Sequence, residues 1–358
     1  MKKVIFFFVV LIASVNVFAA VRTVSSNPAT LGQFSTIQAA IDASADSDTV
    51  YVYGSPNIYP TFTILDKKIT VIGPGWAPDK NLPLQAFVGG CTFRNTVNVG
   101  SPNGSELQGL IFTQNVDLNS NDQTINNLRL IRCQFNQTIS INLSSSGYLF
   151  EGCLFLTTIN FSGSATYTNF LFQNNLFFAN TCCTSSGISS LTNAVNVRFD
   201  HNIFYADNSG SVFFGANCRF LTLSNNIFNN RNVAGNLSFS TFTNNITSNT
   251  TENSPWSVNS NVDGGGNISG QNPQMVDQAK VNAGSFSGLL NFTIAAGPAN
   301  NSGSDGKDMG LLYDATGSLN WDNSRNSRVP RIFSMNITTP TVTPGGNLSV
   351  TVEARKSN

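Results

Sequence analysis

The chain has 358 residues, a formal net charge of zero and only 11% charged residues, against about 25% in an ordinary globular domain. Hydrophobic residues make up 41%, enough for a sizeable core in one large domain or two small ones. With no lysine between Lys80 and Lys280 and six arginines in that interval, the charge balance argues against a broad basic groove for nucleic acid or an anionic membrane.

In chain order, residues 1–20 read as a secretory signal peptide. Lys2 and Lys3 supply the positive start, Val4 to Val15 a short apolar run, and Ala19 and Ala20 small residues at the cleavage point. The run is too short to span a membrane, and no cysteine stands at the cleavage region to carry a lipid. The expected destination is the periplasm, the cell surface or the medium, with no membrane span. "FSTIQAAIDAS", residues 34–44, predicts a short helix capped by Ser35 with Gln38 in a capping box. Ile37 and Ile41 share its apolar face, which would close the open bottom of a stack of strands. Strands are predicted at Thr49–Tyr53 and Ile69–Gly73.

A six-residue pattern then recurs: VGGCTF (88–93), LQGLIF (107–112), LIRCQF (130–135), FEGCLF (150–155), FQNNLF (172–177), FDHNIF (199–204), LSNNIF (223–228) and FTNNIT (242–247). Successive copies end 19 to 27 residues apart, a period that means one supersecondary unit stacked on the next. Slot one is large and apolar, slot four is Cys, Leu or Asn, and slot six is Phe in all but the last copy. These slots should face inward. Slot three holds Gly, Asn, His or Arg, the residue set of a bend in the left-handed region. Asn-Asn pairs, glycines and β-branched runs interrupt every potential helix, and a Leu-rich consensus is absent. A coil of strands remains, with like residues stacked about 4.8 Å apart. Asn175, Asn202, Asn226 and Asn245 should form a buried amide ladder, and Phe93 to Phe228 an aromatic stack. Cys133 and Cys153 share slot four and are expected as free, buried thiols, because stacked side chains point parallel. Cys182, Cys183 and Cys218 fall in loops, where one disulfide of unspecified pairing is expected. The slot-five row, Leu154, Leu176, Ile203, Ile227 and Ile246, requires either a covering loop or an inward turn.

"NPQMVD" (272–277) and "FTIAAGPANNSGSDGKDMGLL" (292–312) read as irregular closing turns. From Arg328 the pattern changes, and "FSMNITTPTVTPGGNLSVTVEA" predicts two strands joined by a Pro-Gly-Gly turn. The organisation expected is a signal peptide (1–20), an all-β parallel β-helix of about eleven coils (21–313) with its N-terminal capping helix, and a linker with a short β cap or appendage (314–358).

The opening "TIQAAIDASADSDTVYVYGSPNIY" with "KKITVIGPG", and the closing "NPQMVD…GPANNSGSDGKDMGLL", resemble right-handed parallel β-helix proteins of the pectin-lyase-like superfamily over roughly residues 34–313. That resemblance implies the right-handed coil. It leaves activity open, because the superfamily includes lyases, glycosidases, adhesins and proteins of unknown role. Lyase members need a basic residue as proton acceptor and Ca²⁺ or a cation on the substrate carboxylate. Hydrolytic members need carboxylate pairs. The seven acids of residues 87–262 do not cluster, and the dense Asp, Gly-His-Gly, Arg-Ile-Lys and Arg-x-Pro-x-x-Arg strings of such enzymes are absent. "VRFDHNIF" shares only Asp200 and His201 with the Trp-Ile-Asp-His string of pectate lyases.

One constellation survives as a candidate site. Glu151, Gln173 and Asp200 occupy slot two on successive coils and should face outward, and Arg129 and Arg198 precede slot one. The candidate catalytic residues are Asp200, Glu151 and Arg198. The candidate ligand contacts are Arg129, Arg132, Gln173 and His201, all expected on one outer surface. No resident cofactor is expected, with Ca²⁺ at "SDGKDMG" (304–310) the one candidate metal. The functional expectation is an exported monomer that contacts polysaccharide or serves as a structural surface protein. The alternatives are a polysaccharide lyase or glycoside hydrolase acting on this flank, and a passive adhesin-like scaffold.

Overall fold

The computed structural model describes residues 19–76, 84–119, 123–179, 187–207, 212–313 (without 216, 234 and 236), 320–321, 331–337, 345–347 and 349–355. Residues 1–18 of the expected signal peptide, Cys182 and Cys183 lie outside them. The described chain is a parallel β-solenoid with two short helices. Three long parallel sheets form the stack, beside a short three-stranded one. Sheet A has eleven strands, from Val21–Val24 to Val262–Asp263. Sheet B has eight, from Phe87–Val88 to Ile246–Ser248, and sheet C six, from Phe62–Leu65 to Ile188–Ser189. The eleven rungs expected are therefore found in sheet A alone. Complete coils number about eight, because the end rungs contribute to sheet A without full partners in B and C.

The repeat sets this register. Leu107, Leu130, Phe150, Phe172, Phe199, Leu223 and Phe242 align at slot one. Phe112, Phe135, Phe155, Phe177, Phe204 and Phe228 align at slot six. The slot-six rings stack at centroid spacings of 4.5–5.4 Å, and Phe150, Phe172 and Phe199 stack at 4.4–4.6 Å. Phe93 is not in this stack. It pairs with Ile64 in sheet C, and Val88 sits opposite Phe112 instead. The first copy, VGGCTF, is thus out of phase. In its coil slots one to three are Val71, Ile72 and Gly73, and residues 74–85 are inserted before the chain returns to sheet B. This insertion brings in Trp76, which stacks on Trp321.

Slot four carries the amide ladder. Each Asn Nδ2 donates to the Oδ1 of the next: Asn175 to Asn202 (3.1 Å), Asn202 to Asn226 (2.9 Å), Asn226 to Asn245 (2.9 Å) and Asn245 to Asn267 (3.1 Å). Each Nδ2 also reaches a backbone carbonyl of the preceding coil, and each Oδ1 also accepts the slot-four N–H of that coil. Asn202 and Asn226 thus give and receive two hydrogen bonds each, Asn175 receives one, from Cys153 N, and Asn245 gives a third, to Thr243 O, so burial leaves no orphaned group. Asp263 closes the ladder by accepting from Asn267 Nδ2.

Slot three is the bend foreseen. Gly109, Arg132, Gly152, Asn174, His201, Asn225 and Asn244 all have φ between 51° and 64°. A second left-handed column precedes sheet A and was not anticipated: Asn127, Gly147, Asn169, Asn196, Phe220 and Phe239, φ 51–74°.

Cys91, Cys133, Cys153 and Cys218 are free and buried. Cys218 is therefore not in a disulfide; Cys182 and Cys183, the other two of the group in which one bridge was expected, lie outside the described residues. Burial pushes the Cys133 thiol up to about 12, and Cys153 well above its ordinary value, so these thiols stay protonated and pack as small apolar groups. The N-terminal helix spans Ile37–Asp42 and buries Ile37, Ala40 and Ile41 against the first coil. Its cap is Thr36, whose Oγ1 accepts from Ala39 N, one residue later than expected. Gln38 instead accepts from Thr63 N. Arg331–Ile337 and Val350–Arg355 form the expected antiparallel pair.

The slot-five row is apolar on the outside of the coil, and it is covered. Ile111, Leu154, Leu176, Ile203, Ile227 and Ile246 pack with Met275, Val281, Leu290, Phe292, Ile294, Met309 and Leu311 from the closing segment. The molecule thus has two cores, one inside the coil and one between sheet B and a C-terminal strap.

Candidate functional site

In a strand successive side chains alternate between faces. With slot one inside, slot two and the position before slot one must face out from sheet A. The register places Glu151, Gln173 and Asp200 side by side on slot two. Arg129, Leu149, Leu171 and Arg198 lie side by side in the row before slot one. Two rungs separate Glu151 from Asp200, about 10 Å by strand spacing.

Exposure divides this grid. Towards the bend, slot two sinks: Ile131 and Ser224 are buried, and Glu151, Gln173 and Asp200 are half-buried. Away from the bend, Arg129, Arg198, Asn127, Asn169 and Asn196 are exposed. Asp200 is committed to its own coil neighbours. Its Oδ1 accepts from Ser224 Oγ (2.7 Å) and Asn225 Nδ2 (2.9 Å). Arg129 Nε lies 3.2 Å from Glu106 Oε2 on the adjacent coil, an exposed pair of small energetic weight.

Arg132 and His201 do not join this surface. Both occupy the left-handed bend, and both are buried, at 1% and 2% exposure. For His201 the reason is the strap, which runs along the bend column from Asn174 to Asn244. Asn174 Oδ1 accepts from Leu312 N, Asn225 Oδ1 from Ser304 N, and Asn244 Nδ2 donates to Ser302 O. His201 Nδ1 lies 3.2 Å from Gly310 O. A carbonyl only accepts, so Nδ1 carries the proton. Its Nε2 lies 3.3 Å from Asp305 Oδ2, a contact that attracts when Nε2 is protonated as well. The Asp-His string is therefore split: Asp200 holds the next coil, and His201 grips the closing strap.

In "SDGKDMG", Asp305 meets His201 and accepts from Lys307 N, and Asp308 accepts from Asn301 N. The two carboxylates serve the turn. Among the described residues no group of three or more His, Cys, Asp or Glu could hold a metal ion, and no helix is long and apolar enough to cross a membrane.

One feature of this flank was missed. Phe220 and Phe239 occupy the left-handed column before sheet A and are 50% and 53% exposed. Their ring centroids are 5.7 Å apart, and the Arg219 guanidinium lies 5.7 Å from the centre of the Phe220 ring. The repeat alignment carries the signal if extended backwards. Three residues before slot one stand Asn127, Gly147, Asn169 and Asn196, then Phe220 and Phe239.

Surface clefts of about 390–450 Å³ lie away from sheet A's outer face: a polar one at the turn between sheets B and C, lined by Thr61, Thr113, Gln114, Asn115 and Gln137, one beside the N-terminal helix, and one in the closing segment that includes Lys307 and Asp308 of "SDGKDMG". No protein-family model matches the chain, and no curated protein matches it.

Proposed function

We propose that the chain is an exported β-helix of the pectin-lyase-like type that contacts polysaccharide along the outer face of sheet A without cleaving it. The observation that carries this reading is the exposed band away from the bend. Asn169 and Asn196 stand there one rung apart, with Asn127 two rungs before Asn169, and Arg129 and Arg198 flank Leu149 and Leu171 three rungs apart, on a rigid stack. Amides and guanidinium groups are the partners sugar hydroxyls require, and rungs at a fixed spacing of about 4.8 Å suit a regular polymer. The signal-like start, Lys2 to Ala20, supports export. Against turnover stand the geometry of the carboxylates and their engagement. Glu151 and Asp200 are about 10 Å apart, beyond the ~9.5 Å limit of an inverting pair, and Asp200 already accepts two hydrogen bonds from its own fold.

The test is affinity electrophoresis of the purified protein through gels containing polygalacturonate, xylan or soluble β-glucan, with parallel assays for reducing ends and unsaturated products. Retardation by at least one polymer, weakened by Arg198→Ala and unaccompanied by product, is expected. Product release abolished by Asp200→Ala would make the protein an enzyme and overturn the reading.

A further inference from the structure

The exposed Phe220–Phe239 pair carries an inference that rests on the reading of sheet A as a glycan face and sharpens it. Both residues have positive φ, 60° and 51°, in a region that bulky side chains avoid. Holding them there stores backbone strain. The same column holds Asn or Gly on the four preceding coils, so the bend itself does not require Phe. Nor does the core: both rings are about half exposed, whereas the slot-one and slot-six phenylalanines are buried. Strain without a return in burial marks a position kept for contact with something else.

The surroundings narrow the partner. On the same two rungs the half-buried outward residues of sheet A are Thr222, then Thr241 and Thr243, all uncharged hydroxyls, whereas Ser224 is buried and donates to Asp200. The Arg219 guanidinium sits over Phe220, and its Nε donates to Thr192 O at 3.1 Å, which fixes the ring. A chain with zero net charge and no lysine from 81 to 279 lacks the cations that a single-stranded nucleic acid would need beside stacked bases. A pyranose is apolar across its C–H faces and hydroxylated at its rim, which matches an apolar strip bordered by hydroxyls and amides. A β-linked chain is extended, with a unit length close to the rung spacing of about 4.8 Å.

We propose that Phe220 and Phe239 form the apolar contact strip of the sheet A face and that their ligand is a neutral, β-linked hexopyranose chain lying along the coil axis. Calorimetric titration of the full chain with cellohexaose, and with hexagalacturonate as the charged comparator, tests it on the native protein, Phe220→Asn, Phe239→Asn and the double variant. Each single substitution should weaken cellohexaose binding about tenfold, and the double variant should show none. All three should melt at or above the native temperature, since Asn is the residue this column otherwise uses. That pairing of lost binding with kept stability separates a contact role from a structural one. Native-level cellohexaose binding by the double variant overturns the strip while leaving the face intact, provided Arg198→Ala still weakens binding. Absence of cellohexaose binding to the native chain, or tighter binding of hexagalacturonate that ignores both substitutions, overturns it too. Native self-association that the double variant abolishes would assign the pair to an interface between copies instead.

Discussion

Asn202 shows how one residue type serves both fold and repeat. Its side chain accepts from Asn175 N and Nδ2 and donates to Phe172 O and Asn226 Oδ1, at zero exposure. Asn202→Ala strips partners from a buried N–H and a buried carbonyl at once. At about 1–3 kcal/mol per orphaned group, chemical denaturation should report a loss of ~3–5 kcal/mol. Asn267, at the half-buried end of the same ladder, has water within reach, and Asn267→Ala should cost less than half as much. Equal losses at the two positions would contradict the ladder as a source of stability. The residue scale also explains what the motif "FDHNIF" is. Asp200 and His201 are neighbours in sequence, but αL geometry at His201 turns their side chains to different partners, Ser224 and Asn225 for one and the strap for the other.

At the scale of elements, the flank and the start of the coil are held by different chemistry. The strap seals sheet B with an apolar cluster and threads the bend column by hydrogen bonds. At the start, the strand Val21–Val24 lies on Thr49–Val52 and is tied down by Asp48, which accepts from Ala20 N and Ala45 N and sits 3.6 Å from Arg22 Nε. Burial alone would raise the Asp48 pKa, but these N–H donors and the guanidinium outweigh it and hold the carboxyl below its ordinary 3.8. A depressed folded-state value contributes stability that is complete above the unfolded-state value and is lost as pH falls through the folded one. Melting temperature should therefore fall more steeply below about pH 4 in the native protein than in Asp48→Asn, which should start lower at pH 6. Parallel pH profiles for the two proteins would show that Asp48 does not hold this end.

Across the whole molecule, the coil was legible because its inward slots repeat a chemical type. Phe at slot six and Asn at slot four are rare enough in combination to fix the register from Leu107 to Thr247. VGGCTF misled because its glycines and final Phe imitate slots three and six. The actual coil there is split by the insertion at 74–85, which period counting does not detect. The strap was foreseen only as closing turns. Its docking depends on contacts across 58 to 138 residues of sequence, such as Asn244 to Ser302 and Leu312 to Asn174, and no local pattern encodes them. For the same reason His201 read as a surface residue. Alternation along the strand is a local rule and gives the outward direction correctly, but what lies on that outer side is set by a distant segment. The Phe220–Phe239 pair escaped for the opposite reason: its signal lay in the repeat, three residues ahead of the slots that were aligned.

Hydroxyl-radical footprinting, with and without the polysaccharide that most retards the protein, tests the glycan face most directly. Leu149, Leu171, Phe220 and Phe239 lie on that face, whereas Phe286 and Leu289, 40% and 55% exposed, belong to the closing segment. A glycan-binding sheet A requires that polysaccharide lower labelling at the first four and leave Phe286 and Leu289 unchanged. Protection confined to the closing segment, or none at Leu149 and Leu171 while the polymer is bound, would contradict it.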